Sequence, residues 1–429
     1  MQTITIKNFG PIVEVIDLPI NDFMVFIGPQ ASGKSTIAKA IYFFKWLRED
    51  IFKQIASDKD LEKIDGYKPY YSDTYCVKII KISFFNYYKN YNLQSSCIEY
   101  KFNNIHWIKI EINKNEKVAI TVSHELEKVI NEVKKLLSEY HTKTASKLEQ
   151  NSEENRISEQ IRIQETYHKS AKILDDVFGK TQSNSYTPAS RSFLSYIRPN
   201  NNDLDIPSFT YLETVSNAKV RFSRGIEHYL DLAGWYPPTM ISLAKKLIGN
   251  VLGGDYRYDS ADNTEKIVLK SGQKINLKLA SSGQQEAIWI MLLTLEKLVS
   301  KSVGFSAIEE PEAHLYPEAQ RDIVQLIALL TNQNSNQVLI TTHSPYILSA
   351  INNLMYAYQM GQTKPTETGS LIPSSLWLKP SDVSAYFVNN GTIKNIIDDE
   401  LKLIKVESID SASAIINEEY DKLFELEIK

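Results

Sequence analysis

The chain has few cysteines and no long apolar run. Its 429 residues include two cysteines, Cys76 and Cys97. They form no Cys-x-x-Cys pair and have no histidine nearby at ligand spacing, which disfavours a structural zinc site or a disulfide framework. Because no run of about 18 apolar residues occurs, the sequence predicts no membrane span. A reducing, cytoplasmic location is expected.

The sequence also lacks an excess of basic residues. The formal net charge is −4, which disfavours a protein that coats nucleic acid wherever it meets it. Residues 391–429 contain ten acidic and five basic residues, so the rest of the chain is nearly neutral. Hydrophobic residues make up 43% of the chain, which is enough for the cores of two or three domains.

The most informative segment joins an apolar run to a loop that contains glycine. Residues 23–27 predict a buried strand, and the helical spacing of apolar residues over 37–47 predicts that the loop opens a helix. The loop matches GxxxxGK[ST], whose backbone N–H groups and helix N-terminus bind polyphosphate. In this pattern Lys34 reaches the β and γ phosphates and the Ser35 hydroxyl binds Mg²⁺. The predicted nucleotide-binding residues are Gly28, Pro29, Gln30, Ala31, Ser32, Gly33, Lys34, Ser35 and Thr36.

A second apolar run ends in two adjacent carboxylates. Residues 304–308 predict a strand that leads into Glu309 and Glu310. Strand alternation places these side chains on opposite sides, so one can face Mg²⁺ while the other addresses an attacking water. Two charges at a strand end are costly unless a cationic group meets them, and a Mg²⁺–nucleotide complex is such a group.

Two further motifs complete the set. A predicted strand over residues 337–342 ends at His343, which could contact a γ-phosphate, and Ser344-Pro345 starts the next helix. The segment Ser281, Ser282, Gly283, Gln284 opens another helix, where hydroxyls, a glycine N–H and the helix N-terminus make an anion site. The same segment also reads as an ordinary N-cap, with Ser282 as the cap and Gln285 or Glu286 closing a capping box.

The order of these motifs resembles the ABC-type ATPase heads of SMC, Rad50 and RecF-like proteins. The sequence is similar in particular to the AAA15/AAA21-type ATPases related to the OLD nucleases, and residues 186–191 resemble the Pro-Ala-x-Arg segment of that branch. The resemblance implies an α/β fold, namely an ABC-type P-loop ATPase head with a mixed sheet, a helical lobe and a strand-plus-helical-hairpin insert.

The resemblance also implies a mechanism that uses ATP and Mg²⁺. Two heads would enclose two nucleotides in a homodimer or higher oligomer, with each site completed by the residues 281–284 of the other copy. Glu310 would activate water, Glu309 would support Mg²⁺, and His343 would sense the γ-phosphate. The chain departs from the family pattern in having Glu309 where aspartate is usual and Ser282 where a glycine is usual. Slow ATP hydrolysis is therefore expected.

The spacer between the motifs is long enough for an insert. The predicted head comprises residues 1–55 and 181–429, with a helical lobe at about 192–252 and the acidic segment at 391–429, and residues 56–180 form the insert. Within the insert, residues 105–112 alternate as a strand. Apolar residues between 126 and 140 have helical spacing, and residues 152–178 supply a second helix. Such a hairpin reaches only about 25–40 Å, which excludes a long coiled coil.

The insert also contains an aromatic window. Residues 67–91 hold nine tyrosine and phenylalanine residues with lysines between them. Local packing of a strand-rich insert is the favoured interpretation, while stacking on nucleic-acid bases and contact with another protein are the alternatives.

The C-terminal segment indicates whether the chain carries a nuclease domain of its own. No Glu-Gly pair and no Asp-x-Asp follow His343, whereas a TOPRIM nuclease domain needs both, so this chain is expected to carry no nuclease. Residues 398–400 form an acidic run that predicts a solvated turn. The motif set then resembles the stand-alone ATPase subunits of PARIS and Septu defence systems, AriA and PtuA, which work with a separate effector nuclease. The alternatives are a RecF- or Rad50-like repair ATPase that binds DNA and an ATP-binding scaffold with little hydrolysis.

Overall fold

The computed structural model describes most of the chain. The described residues are 1–57, 73–89, 95–115, 117–145, 153–179, 183–194, 204–233, 238–259, 261, 264–333, 336–405 and 418–424. Four tyrosines of the aromatic window lie outside them, namely Tyr67, Tyr70, Tyr71 and Tyr91. Residues 195–203 of the predicted lobe and residues 406–417 and 425–429 of the acidic segment also lie outside.

The strands and helices alternate along much of the chain. The strands are β1 (Thr3–Phe9), β2 (Ile12–Pro19), β3 (Phe23–Ile27), β4 (Ser96–Lys101), β5 (Trp107–Ile112), β6 (Val118–Val122), β7 (Ser185–Thr187), β8 (Gly254–Asp259), β9 (Thr264–Leu269), β10 (Lys274–Asn276), β11 (Phe305–Glu309), β12 (Gln337–Thr342), β13 (Val383–Asn389) and β14 (Thr392–Asn395). The helices are α1 (Lys34–Ala56), α2 (Tyr75–Tyr87), α3 (His124–Ala145), α4 (Glu153–Phe178), α5 (Arg191–Leu194), α6 (Ile206–Arg221), α7 (Gly225–Ala233), α8 (Pro238–Leu252), α9 (Ser282–Ser300), α10 (Pro317–Asn332), α11 (Pro345–Gly361) and α12 (Pro365–Leu371). No described helix combines the length and the apolar character needed to span a membrane.

Six of the strands form a central mixed sheet. Their order is β14-β13-β3-β12-β11-β7, and every neighbouring pair is parallel except β13 and β14. This mixed sheet with flanking helices confirms the predicted α/β class. Because the carboxyl ends of parallel strands meet at one edge, the segments that follow β3, β11 and β12 lie at the same edge. These segments are the ones that carry the predicted nucleotide motifs.

The central sheet separates two hydrophobic cores. Phe23, Val25 and Ile27 of β3 face a core formed largely by α6–α11, while Met24 and Phe26 face a core shared with α1–α4 and the N-terminal strands. All five residues are at most 1% exposed. Burial on both faces explains why β3 is a continuous apolar run and not an alternating one.

A second sheet combines the two N-terminal strands with three strands from the spacer. Its five strands have the order β2-β1-β4-β5-β6, and β1 pairs antiparallel with both β2 and β4. The strands β4 to β6 come from residues 56–180, yet they extend the sheet that β1 and β2 begin. The predicted strand at residues 105–112 corresponds to β5.

The predicted helical hairpin corresponds to α3 and α4, which pack together and against α1. The inward face of α3 consists of Leu126, Ile130, Val133 and Leu137, each of them fully buried. These residues recur at three- and four-residue spacing, which confirms the amphipathic helix that the sequence predicts.

The described part of the aromatic window contains the helix α2, and the strands of the insert, β4 to β6, follow it. The helix α2 buries Phe84 and Tyr87 against Phe43 of α1, with ring centroids 5.9 and 5.1 Å from that of Phe43. Tyr88 is 2% exposed and Phe85 is 41% exposed. Local packing, the favoured interpretation, therefore accounts for three of the five rings that the structure describes, namely those of Phe84, Tyr87 and Tyr88. Stacking on bases would require rings that are open to solvent.

The region of the predicted lobe is helical in its described part, with α6, α7 and α8 between residues 206 and 252. The sequence did not predict the antiparallel sheet of order β10-β9-β8 that follows this region. At the other end of the chain, Asp398 accepts hydrogen bonds from the backbone N–H groups of Glu400 and Leu401. This confirms the predicted turn at residues 398–400.

Candidate functional site

In the loop between β3 and α1, two glycines lie so close to neighbouring atoms that a side chain would not fit. A Cβ atom on Gly28 would lie 2.0 Å from the carbonyl oxygen of Val388, and one on Gly33 would lie 2.3 Å from Ile12 Cδ1. Gly33 also has φ +105°, which favours glycine. At Gly33 no side chain caps α1, so the N–H groups of the first turn face the loop. The buried Ser32 hydroxyl has no hydrogen-bond partner among the described residues. The loop therefore offers several donors to an anion.

The predicted phosphate-binding lysine lies inside this loop. Lys34 is 5% exposed, and its Nζ donates to the carbonyl oxygens of Gly28 and Pro29 at 2.9 and 2.8 Å. Burial lowers the pKa of Lys34, whereas the nearby carboxylates, which belong to Glu310, Glu312 and Glu309 in order of decreasing effect, act in the opposite direction. Lys34 thus lies near the sheet edge where β11 ends in carboxylates.

The two carboxylates at the end of β11 point in different directions. Glu309 is 5% exposed; its Oε1 accepts from the Tyr186 hydroxyl at 2.8 Å and its Oε2 accepts from the Ala189 N–H at 3.0 Å. One oxygen thus binds a residue of β7 and the other binds the segment that follows it, although each oxygen retains a second lone pair. The two carboxylates have different neighbours, as predicted, but strand alternation is not the reason, because β11 ends at Glu309.

Glu310 leaves the strand in a left-handed conformation. Its φ is +44°, and its N–H donates to the carbonyl oxygen of Thr341 on β12 at 2.8 Å. This turn places Glu310 Oε1 3.4 Å from Nε2 of His343, and both side chains are about a third exposed. The two residues that the sequence predicts as catalytic therefore lie side by side.

A third carboxylate, which the sequence analysis did not assign, supports the histidine. Glu312 Oε1 accepts from the Thr342 hydroxyl and from the His343 N–H, both at 2.7 Å. Its second oxygen, Oε2, is buried and has no hydrogen-bond partner among the described residues. The only sequence signal for this role is the third glutamate of the Glu-Glu-Pro-Glu run.

Replacement of Glu312 tests this support. In the alanine variant Glu312→Ala the Thr342 hydroxyl and the His343 N–H lose their shared acceptor. We expect the free energy of unfolding to fall by about 2–3 kcal/mol, because two donors in a partly buried site lose their hydrogen bonds. Glu312→Gln keeps an acceptor oxygen and should lose less than about 1 kcal/mol. Urea unfolding measures both variants, and an alanine variant as stable as the parent would show that this contact is not structural.

The serine segment begins α9, and its cap differs from the predicted one. Ser281 is the N-cap, and its hydroxyl accepts from the Gln284 N–H at 3.3 Å while Gln284 Oε1 accepts from the Ser281 N–H at 3.1 Å. The prediction of Ser282 as the cap was therefore wrong by one residue. The extended backbone of Ser281, with φ −61° and ψ 149°, is the reason, because it orients the hydroxyl toward the first turn. Ser281 and Ser282 are exposed.

The start of α9 lies against the loop that follows β11. A Cβ atom on Gly283 would lie 2.7 Å from the carbonyl oxygen of His314, so a larger residue does not fit there without movement. The side chain of Gln284 donates to the carbonyl oxygen of Leu252 at the end of α8. The segment 281–284 thus joins the helical region to the loop after the carboxylates.

Arg191 connects the same two elements from inside. Its Nε donates to the carbonyl oxygen of Glu286 at 2.8 Å and lies 3.2 Å from the Glu286 carboxylate. Its Nη1 donates to the carbonyl oxygens of Glu309 and Pro188, and its Nη2 donates to that of Glu310. Glu286, which the sequence offered as a capping-box residue, is instead the ion partner of Arg191. The sequence analysis assigned no role to Arg191 beyond its place in a motif.

The donor set limits how a metal ion can bind. No group of three His, Cys, Asp or Glu side chains that could hold a metal ion occurs within the described part of the chain. The Ser35 hydroxyl is exposed in the first turn of α1, and the free oxygen of Glu312 lies at the same sheet edge. Oxygen ligands of this kind fit Mg²⁺ that is shared between a few protein oxygens and nucleotide phosphates.

Comparison with known proteins agrees with this arrangement. The AAA ATPase domain family AAA_15 matches residues 1–348. An OLD nuclease of Thermus scotoductus is 33% identical over 63 residues, which are 15% of this chain and 12% of that protein. The chain therefore matches about an eighth of the length of that relative.

Solved structures of SMC heads are also similar to this chain. An SMC head bound to the C-winged helix domain of ScpA has 12% identity and a TM-score of 0.43, with coverage of 92% of this chain and 96% of that chain. The SMC head domain from Thermotoga maritima has 12% identity and a TM-score of 0.38, with coverage of 92% and 97%. A head with an extended coiled coil bound to the C-terminal domain of ScpA, from Pyrococcus furiosus, has 11% identity and a TM-score of 0.40, with coverage of 97% and 100%.

Proposed function

The chain belongs to the AAA ATPase domain family AAA_15, and on that premise we propose that it is a slow ATP-hydrolysing switch that pairs two heads around ATP. The observation that carries this proposal is the position of Glu310 Oε1 3.4 Å from His343 Nε2. Both residues lie at the sheet edge that carries the buried cation of Lys34. A carboxylate, a histidine and a lysine at one edge can activate water and bind a terminal phosphate.

Each residue of the site has a proposed role in ATP binding or hydrolysis. Lys34 exchanges its bonds to the loop carbonyl oxygens for bonds to phosphate oxygens, and the N–H groups of residues 28–36 bind the remaining oxygens. Ser35 and Glu309 are the proposed ligands of Mg²⁺, which would neutralise phosphate charge when it is bound. Both Glu309 oxygens already accept a hydrogen bond, so Mg²⁺ would use their remaining lone pairs, and Glu312 Oε2 is a further proposed ligand. Glu310 accepts a proton from the attacking water, and His343 donates to the terminal phosphate. Glu312 holds the backbone of His343 in place.

A second copy of the chain is the proposed source of the remaining contacts. Ser281 and Ser282 are exposed at the N-terminus of α9, where N–H groups and hydroxyls can bind phosphate. Leu279, two residues before this segment, is 82% exposed, and Tyr316, two residues after the His314 carbonyl group that lies against Gly283, is 74% exposed. Large apolar side chains in such positions are typical of interfaces. Residues 281–284 of each copy would complete the site of the other.

The biological role proposed for this switch is control of a separate effector nuclease in prokaryotic anti-phage defence. The support consists of the motif resemblance and the local identity to an OLD nuclease. The repair-ATPase alternative predicts binding of DNA instead. The burial of Phe84, Tyr87 and Tyr88 removes three of the rings through which such binding was considered.

The test is purification with the protein encoded by the neighbouring gene. We expect ATP to shift the molecular mass to that of a complex containing two heads, and nuclease activity of the complex to depend on ATP. ADP is the matched control and should leave the mass unchanged. If the neighbour has no nuclease activity and the ATPase binds DNA with an affinity that falls steeply with salt, the repair role is correct instead.

A further inference from the structure

Arg191 is a buried charge at a junction of three segments. It is 1% exposed, and its donors reach the carbonyl oxygens of Pro188, Glu286, Glu309 and Glu310 at 2.8–3.2 Å. Burial lowers the pKa of Arg191, and the Glu286 carboxylate is the first of the groups that oppose this shift. Removal of a guanidinium from water costs several kcal/mol unless its donors are satisfied. The planar fork of arginine can bind several acceptors at once, which the single ammonium of lysine cannot do in the same geometry.

The carbonyl oxygen of Glu310 is the most informative of these acceptors. Glu310 is a non-glycine residue at φ +44°, and a left-handed conformation costs about 1–2 kcal/mol for such a residue. Arg191 Nη2 donates to the Glu310 carbonyl oxygen at 2.9 Å, and the Glu310 N–H donates to the Thr341 carbonyl oxygen at 2.8 Å. These bonds hold the backbone on both sides of the Glu310 side chain. Without them the residue is free to return to an extended conformation, which moves its carboxylate away from His343.

The other end of the same guanidinium binds the first turns of α9. Its Nε contacts both the carbonyl oxygen and the carboxylate of Glu286, and the Glu286 carboxylate also accepts from the Ser192 hydroxyl. The exposed end of α9 lies four to five residues before Glu286, at Ser281 and Ser282. A movement of α9 on contact with a second copy therefore acts on the group that orients Glu310.

We propose that Arg191 is a positioning residue that links the start of α9 to the backbone conformation of Glu310. As a consequence, ATP hydrolysis becomes efficient only when the N-terminus of α9 binds the nucleotide held by a second head. This inference rests on the proposed ATPase function and adds a route by which head pairing controls the reaction. Arg191 itself touches neither nucleotide nor water.

The test compares Arg191→Lys with the parent in turnover and in nucleotide binding. A misplacement of about 1 Å at the reacting group costs about a hundredfold in rate, so we expect kcat to fall roughly tenfold to a hundredfold. The Kd for ATP should stay within about threefold of the parent value, because the loop of residues 28–36 is untouched. Turnover per head in the parent should rise with protein concentration, and this rise should be lost in Arg191→Lys.

Two further variants make the outcome decisive. Glu286→Gln removes the charge that binds Arg191 and should lower kcat in the same direction, so it replaces Arg191→Lys if that variant fails to fold. Arg48→Lys is the matched control, because Arg48, in the C-terminal half of α1, also forms a part-buried ion pair, with Asp175 of α4 at 2.6 Å. An unchanged kcat in Arg191→Lys, or an equal loss of kcat and ATP affinity, would overturn the inference. A parent without turnover would instead overturn the proposed function.

Discussion

Replacement of Lys34 with alanine is expected to weaken ATP binding by at least about a hundredfold. The Nζ atom donates to two carbonyl oxygens of the β3–α1 loop. The carboxylates of Glu310, Glu312 and Glu309 are near enough to act on it electrostatically. Removal of this cation takes away the charge that meets the β and γ phosphates and leaves the carboxylates to repel them. The loss of one member of a buried charge pair costs about 3–5 kcal/mol, and each 1.4 kcal/mol is tenfold in Kd. Titration calorimetry with ATP measures the change.

Lys53→Ala is the matched control for this experiment. Lys53 is exposed in the last turn of the same helix, 19 residues after Lys34, which places it about 28 Å away. Its removal changes the net charge by the same amount and should leave the Kd within about twofold. Parent-like affinity in Lys34→Ala would show that the loop of residues 28–36 is not the nucleotide site. A urea unfolding curve for each variant separates loss of binding from loss of folding.

The elements around the site follow from local sequence patterns. The strand β3 has the predicted bounds, because a run of five apolar residues can be buried on both faces of a sheet only as a short central strand. The helix α3 contains the residues between 126 and 140 whose apolar spacing predicts it, and α4 lies within the predicted second helix at 152–178. The motif residues at the ends of β3, β11 and β12 meet because parallel strands bring their carboxyl ends to one edge.

The sequence-based predictions fail or stay silent in two situations. In the first, neighbouring residues suit the same role equally well, and in the second, the contact joins residues that are far apart in the sequence. Ser281 and Ser282 are both good N-cap residues, and only the backbone dihedral angles of Ser281 decide between them. Tyr186 binds Glu309 across 123 positions of sequence, and no periodic pattern encodes such a contact. No periodic pattern encodes the pairing of β4 with β1 either, because pairing between distant strands depends on the whole sheet.

Arg191 and Glu312 illustrate what sequence patterns cannot provide. Both act through backbone groups of the predicted site residues, by donating to the Glu310 carbonyl oxygen and by accepting from the His343 N–H. Backbone groups are present at every position, so their partners leave no signature in residue type or spacing. The sequence thus supplied the residues that we propose to contact nucleotide, while the residues that orient them became visible only in the folded chain.

Replacement of Glu310 with glutamine is expected to slow ATP hydrolysis by about 10²–10⁴-fold, the usual contribution of a general base. Glutamine has nearly the same shape, and the bonds from Arg191 and to Thr341 involve only the backbone of residue 310. The left-handed turn and the loop around Lys34 should therefore persist, so that ATP binding is retained. Retained ATP without hydrolysis should lengthen the lifetime of the paired heads, which a mass measurement with ATP detects as an increased dimer fraction.

The matched control for this last prediction is Glu318→Gln, which removes a carboxylate from the exposed first turn of α10. Loss of that charge weakens only its interaction with the helix dipole, worth about 0.3–1 kcal/mol, so turnover should remain at the parent rate. If Glu310→Gln hydrolyses ATP as fast as the parent, Glu310 is not the base. If it loses ATP binding together with hydrolysis, the carboxylate serves the nucleotide site instead of the water. Slow turnover with a stable dimer is the one combination that the position of Glu310 beside His343 predicts.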